Sequence, residues 1–403
     1  MSSSVGEFPV GESDVTTAAR RSRPRLEVLD GLRFVAAASV MIYHYTAVRN
    51  NHIWPHPPRV EFPQAHQVTV YGWLGVNLFF LISGFVICMS SWGRSLGEFF
   101  TSRVSRLYPA YWFSVIAASA VQVAWPDHSP PRDWLAILMN LTMVQEPFGY
   151  SGVSAVYWTL WTELRFYLLF AIVVWRGVTY RRVVLFCCVW MVASVAATAG
   201  KSDALGPLLL MVVPDYSPLF IGGIACYLIY RFGPNLLLWG ILGFSFLLSL
   251  PVTLRKQYRV EKGEVQHLVA RWPTAVLMAL FFLIMVALAL GWLSWIRGRW
   301  LTVLGATTYP LYLLHETVGG TALHELNGTL PKPVLIALVM VGMVGLAWLV
   351  YRFVERPFGP RFKNAVRQGV RSMEREGRPA PVPRPVTELE PIRTEPKPLE
   401  TTH

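Results

Sequence analysis

Apolar runs of about 20 residues, separated by short polar stretches, recur from residue 28 to residue 354. A helix of that length crosses a bilayer. Ten such runs stand out, at about 28–48, 72–92, 107–125, 156–175, 183–199, 207–230, 234–252, 273–294, 302–323 and 333–354. The stretch 134–145 is too short to span and reads as re-entrant or interfacial. Lipid offers the backbone no hydrogen-bond partner, so each run must close its bonds internally. The expected fold is all-α: a polytopic membrane protein of about ten transmembrane helices.

Composition adds a direction. The 403 residues are 53% hydrophobic and 15% charged, with a formal charge of +12; a soluble domain carries about 25% charged residues. These values exclude a disordered chain, a collagen and a small disulfide scaffold. A nucleic-acid binder would gather its cations on one face. Here they sit in short clusters between apolar runs. With the N-terminus inside, the clusters at Arg20–Arg25, Arg103–Arg106, Arg181–Arg182, Arg297–Arg299 and Arg356–Lys363 fall on the cytoplasmic side. The outer loops hold fewer, and only the stretch 253–271, with Arg255, Lys256, Arg259, Lys262 and Arg271, runs against the count. Both termini are expected in the cytoplasm.

Residues 1–25 form a basic tail without the apolar segment of a cleavable signal peptide. Residues 26–360 form the membrane domain. Residues 361–403, rich in Pro, read as a disordered cytoplasmic tail. No fixed-period repeat is visible, and the halves do not look like inverted transporter repeats. Cys88, Cys187, Cys188 and Cys226 lie in apolar runs without metal-ligand spacing and read as small buried residues.

Ionisable groups inside such runs are costly, so each marks a candidate site. In the first run Arg33 and His44 are eleven positions apart. That is about three turns, so both point from one helix face, roughly 16 Å apart along the axis. Ala36, Ala37, Ala38 and Ser39 between them let a neighbour come close. Singly, Arg33 reads as a snorkelling side chain and His44 as a hydrogen-bonded core histidine. The pair on one face points to function. Glu163, two turns into the fourth run, must pair with a cation or stay protonated; an ion pair to another helix is the simpler alternative. Arg165 faces about 200° away from it. Arg103 and Arg106 share a helix face before the third run and suit phosphate oxygens, although positive-inside anchoring also explains them. The ninth run puts Tyr309, Tyr312 and His315 on one face, with Pro310 expected to kink the helix. Glu355 and Arg356 read as a helix-end cap or an interface salt bridge.

In chain order these segments are Arg33-x10-His44, GVNLFFLISGF at Gly75–Phe85, Arg103 to Pro109, WTLWTELRFYL around Glu163, LGATTYPLYLLH ending at His315, and VERP. The set resembles the acyltransferase-3 family of integral-membrane acyltransferases. The resemblance runs from about Leu29 to Pro357, most of the chain. Each motif alone is degenerate, but six in order on ten spans are specific. Pro310, directly after Tyr309, departs from the pattern. Residues 361–403 are too few for the esterase-like domain appended to some relatives.

The resemblance implies transfer of an acyl group from acyl-CoA (acetyl-CoA) to a hydroxyl. His44 is then the expected general base, or an acylated nucleophile. Glu163 is expected to orient the imidazole, and Arg33 to hold the thioester carbonyl or pantetheine and stabilise the oxyanion. Arg103 and Arg106 are expected on the coenzyme A phosphates, and Tyr309 and His315 on the acceptor side. Arg33, His44 and Glu163 should converge on one cavity open to the cytoplasm. No metal or nucleic acid is expected; the location is the cell membrane, multi-pass. The opening LDGLRFVAAASVMIYHYTAV looks like the antibiotic-tailoring branch, with a hydroxyl of a macrolide or its sugar as acceptor. A cell-surface polysaccharide is the alternative acceptor. A secondary transporter for a sugar or drug also needs intramembrane charges, but predicts paired broken helices and no coenzyme A dependence. Gly75 and Gly84 read as positions of close helix packing.

Overall fold

The computed structural model describes residues 26–49, 52–199 and 206–376. The basic segment Arg20–Arg25, Lys201 and the Pro-rich stretch 377–403 lie outside the described residues. Helices account for most of the described residues, and no strand occurs among them.

The chain begins with α1 (Glu27–Thr46), followed by the short α2 (Pro58–Glu61) and α3 (Pro63–Thr69), each opened by a proline. Next come α4 (Gly75–Ser91), α5 (Leu96–Ala124), the short α6 (Trp134–Leu141), α7 (Trp158–Trp175) and α8 (Tyr180–Ala199). The short α9 (Gly206–Val212) precedes α10 (Ser217–Phe232), α11 (Leu236–Val260) and α12 (Trp272–Ala289). The last are α13 (Arg299–Leu314), the short α14 (Gly320–Glu325), α15 (Lys332–Val350) and α16 (Arg356–Glu376). Ser95 and Glu98 form a reciprocal cap at the start of α5, with both bonds at 3.2 Å. Asn235 caps α11 through the Leu238 amide at 3.0 Å.

Eight helices are long and apolar enough to cross a membrane. The other two expected runs are also helical, as α1 and as α13 continued by α14. They carry Arg33, His44, Tyr309 and His315 and are less apolar for that reason. The span ending in α4 is 78% buried and α10 is 72% buried, against 33% for α8, α11 and α12. So α4 and α10 form the centre, and α8, α11 and α12 face lipid.

Glycines bring the central backbones together. A Cβ on Gly84 would overlap the Phe220 carbonyl of α10, and one on Gly223 would overlap the Leu81 carbonyl of α4. A Cβ on Gly75 would meet the Ala36 carbonyl of α1 at 2.5 Å, and one on Gly305 would overlap Asp30. Thus α1 is gripped between α4 and α13 through small residues, as expected from Ala36, Ala37 and Gly75.

Three local readings change. Residues 253–260 continue α11 and Glu261–Val265 form a π turn, so Arg255, Lys256, Arg259 and Lys262 sit on a helix rather than in a loop. The run 207–230 is broken between Val212 and Ser217. Pro310 lies inside α13, as its place in the ninth run implies, and a wide π turn follows at His315–Gly319. Residues 361–376, read as the start of an extended tail, are helical in α16. Their apolar residues fall on one helix face, a periodicity that the downstream prolines obscured.

The glycine contacts carry a test. Gly84→Ala is expected to lower the thermal unfolding midpoint in detergent, because its Cβ meets backbone that cannot yield. Gly342→Ala meets nothing within 4 Å. It should leave the midpoint unchanged, or raise stability by up to about 1 kcal/mol of helix propensity.

Candidate active site

Two cavities lie along the inner faces of α1, α4, α7 and α13. The first, of about 160 Å³, is lined by Arg33 from α1, Arg103 and Arg106 from α5, Glu163 from α7 and Tyr309 from α13. Arg103 and Arg106, three residues apart on one helix, reach it together, as their spacing predicts. The Arg103 Nη2 donates to Ser90 Oγ at 3.3 Å and Ser102 Oγ at 3.1 Å. Its guanidinium lies 5.9 Å from the Phe99 ring centroid and 6.0 Å from that of Tyr167, and its Nε is buried without a hydrogen-bond partner. Ser83 Oγ donates to Glu163 Oε1 at 2.6 Å. Ion pairs among the described residues join Arg259 to Asp215 and Lys332 to Glu61. Among the described residues none of the three arginines is bridged to a carboxylate. The lining therefore presents three guanidiniums and one carboxylate, with Asp30 in electrostatic reach of Arg33 and Glu355 of Arg106, an arrangement that can take a polyanion.

The second cavity, of about 320 Å³, is lined by His44, Tyr43, Lys256, Glu264 and Glu316, with aromatic walls at Trp73, Trp158 and Tyr312. Val76 and Tyr312 line both cavities, so their side chains form the partition. The Tyr312 hydroxyl bonds Thr159 Oγ1 at 3.1 Å, and its ring meets Phe79 edge-on. Tyr43 donates to Glu264 Oε2 at 2.7 Å. Glu316 Oε2 accepts from Ser154 Oγ at 2.7 Å, Thr317 Oγ1 at 3.0 Å and the Ala155 amide at 3.2 Å. Lys256 bonds the Tyr216 hydroxyl and lies 4.2 Å from the Trp158 ring centroid.

His44 Nδ1 lies 3.0 Å from Nε2 of the fully buried His315. His315 Nδ1 faces the Tyr312 carbonyl at 2.8 Å. A carbonyl only accepts, so His315 Nδ1 carries the proton when that ring is neutral. Its Nε2 must then accept, and His44 Nδ1 must donate. This leaves the lone pair of a neutral His44 on Nε2.

The structure divides the expected site. Arg33, Arg103, Arg106, Glu163 and Tyr309 share the first cavity, whereas His44 and His315 meet at the second. Arg33, His44 and Glu163 therefore do not converge on one cavity. Glu163 is held by Ser83, and the imidazole beside His44 is His315, one helix away from the expected carboxylate. Tyr309 donates to the Leu107 carbonyl at 3.1 Å and lines the arginine cavity rather than the His44 side. Arg165 turns away from Glu163 as its helical angle requires, to the Leu210 carbonyl at 2.8 Å. Sequence reading missed Lys256, Glu264 and Ser83. The first two lie beyond the apolar part of their run, where charge looked like loop; a serine in an apolar run gives no signal. Among the described residues no group of three or more His, Cys, Asp or Glu is placed to hold a metal ion.

The model of the acyltransferase domain matches residues 26–352. The chain belongs to the acyltransferase-3 family. It is similar to acyltransferase MdmB of Streptomyces mycarofaciens, 29% identical over 36% of this chain and 38% of that protein. It is also similar to O-acetyltransferase OatA of Staphylococcus aureus, 24% identical over 82% of this chain and 56% of that protein. The chain thus spans from under two fifths to just over half the length of these relatives. No solved structure matches it. Family membership and the eight apolar helices make this a multi-pass membrane protein of that family.

The charge imbalance of the arginine cavity has a measurable sign. Arg103→Met should stabilise the ligand-free protein, by relieving like-charge repulsion with Arg106 and Arg94. Glu163→Gln should destabilise it, by removing the carboxylate that faces the cavity's arginines. Each change is expected on the order of 1–3 kcal/mol, read by thermal unfolding of the purified protein in detergent.

Proposed function

We propose that the protein is a membrane O-acyltransferase that moves an acyl group, an acetyl group in the first instance, from acyl-CoA to a hydroxyl. The observation that carries this reading is the pair of adjoining cavities: one walled by three unbridged guanidiniums, the other holding an imidazole with a fixed tautomer. Arg103 and Arg106 bind the coenzyme A phosphates through forked, charge-assisted hydrogen bonds. Arg33 holds the donor in the same cavity. It lies three turns from His44, roughly 16 Å along the helix, so its role narrows to binding rather than oxyanion stabilisation. The pantetheine arm carries the thioester past Tyr312 and Val76 toward His44.

His44 Nε2 takes the proton of the acceptor hydroxyl. The oxygen then attacks the thioester carbonyl, and collapse of the tetrahedral intermediate expels the coenzyme A thiolate, which recovers the proton from the imidazolium. His315 acts as a positioning residue by accepting from His44 Nδ1, as a carboxylate does in a hydrolase triad. The acceptor is a hydroxyl of a macrolide antibiotic or a sugar-containing metabolite. Trp73, Trp158 and Tyr312 supply flat apolar walls, and Lys256, Glu264 and Glu316 supply polar contacts for such a ring. With the N-terminus inside, the arginine cavity lies toward the cytoplasm, where acyl-CoA is found.

Membranes containing the protein, supplied with labelled acetyl-CoA and macrolide acceptors, provide the test. Wild type transfers label in an acceptor-dependent manner and His44→Ala does not. Transfer by inserted His44→Ala at the wild-type rate rejects the base assignment. Arg103→Ala should raise KM for acetyl-CoA tenfold or more, the equivalent of about 1.5–3 kcal/mol for a hydrogen bond to a charged group, with kcat largely kept. His315→Ala should lower kcat about 10- to 100-fold and leave that KM unmoved, with partial rescue in His315→Gln, whose amide oxygen also accepts.

A further inference from the structure

The helix α16 follows α15 through the π turn Tyr351–Glu355 without interruption, so it starts where the last span ends. At 100° per residue, Phe358, Phe362, Ala365, Val366 and Val370 fall on one arc of about 140°. Arg356, Arg361, Lys363 and Arg367 fall on the opposite arc. From residue 356 to residue 372 there is no acidic residue.

The apolar arc is divided. Phe362 meets the Trp112 ring of α5 edge-on at 5.3 Å, and Val366 and Val370 are half-buried. Phe358 is 56% exposed, and Phe353, just before the helix, is 62% exposed. Arg361, Lys363 and Arg367 are exposed and have no carboxylate partner among the described residues. Among the described residues Arg361 donates to its own helix, at the Pro357 carbonyl. A helix that anchors one apolar edge on the bundle, leaves two phenylalanines open and aims uncompensated cations the other way is built for a membrane surface.

We propose that α16 is an interfacial helix that binds the headgroups of anionic lipids. Charge complementarity selects the occupant. A neutral bilayer would satisfy Phe353 and Phe358 but not three unpaired cations. An anionic leaflet satisfies both. Continuity with the last span places the helix at the depth where phosphate groups lie. Because α16 is packed on α5, the helix that carries Arg103 and Arg106, lipid bound there also braces the wall of the arginine cavity.

The test uses the purified full-length protein in neutral detergent, mixed with phosphatidylglycerol or phosphatidylcholine. Retained lipid is counted by native mass spectrometry. Wild type should keep phosphatidylglycerol in preference to phosphatidylcholine, and the preference should weaken with added salt. The triple variant Arg361→Gln, Lys363→Gln, Arg367→Gln should lose about a hundredfold in that preference. Its unfolding midpoint should match wild type, because the three side chains are exposed. A control with Arg255→Gln, Arg259→Gln and Lys262→Gln, at a different helix end, should keep it. Equal retention of the two lipids by wild type overturns the proposal. So does unchanged preference in the α16 variant. Displacement of phosphatidylglycerol by inorganic pyrophosphate at equal charge would reassign the surface to soluble polyanions and likewise reject it.

Discussion

Close backbone contact around α4 is the constraint on which the rest of this protein depends. In lipid there is no hydrophobic force to draw helices together, so dispersion contact must do it. Gly75 admits α1, and Gly84 with Gly223 admits α10, each at a distance that a Cβ would forbid. That grip sets where Val76, Phe79 and Ser83 point. These three residues line the arginine cavity, and Val76 also lines the cavity of His44. A looser bundle would let water and lipid into both.

Within that frame several of the polar groups are held by one another. Glu163 rests on Ser83, Tyr309 on the Leu107 carbonyl, and Glu316 on three donors from its own turn and the Ser154–Ala155 segment. The arginines are the exception. Among the described residues none of them is bridged to a carboxylate, although Glu163, Asp30 and Glu355 lie within electrostatic reach. His44 and His315 follow a different logic: when both rings are neutral, the carbonyls of Leu311 and Tyr312 at His315 Nδ1 order the pair into a donor and an acceptor. The two arrangements are chemically distinct, and Tyr312 stands between them.

Much of the fold was legible beforehand. Runs of about 20 apolar residues have one solution in lipid, and all ten expected runs contain helix. Arg103 and Arg106 reach one cavity because helical spacing alone sends them there. The tail from residue 361 was misread because its prolines lie downstream, whereas the amphipathic period ends before them. The basic residues near 255 looked like loop because charge usually marks the end of a span; here α11 runs on, and Lys256 turns inward between aromatic rings.

Partnership between helices was not legible. Periodicity states which residues share a face, since that depends only on 3.6 residues per turn. It therefore identified Arg33 and His44 as one face of α1, and Tyr309, Tyr312 and His315 as one face of α13. It is silent on which neighbour each residue meets, since that depends on crossing angle and depth. Only the packed bundle decided that Glu163 serves the arginines and that His315, not a carboxylate, lies against His44. The sequence by itself determined the helices, their membrane setting and the inventory of polar groups. The tertiary structure decided how that inventory is divided, because two long apolar faces can slide against each other until small residues and glycines lock one register.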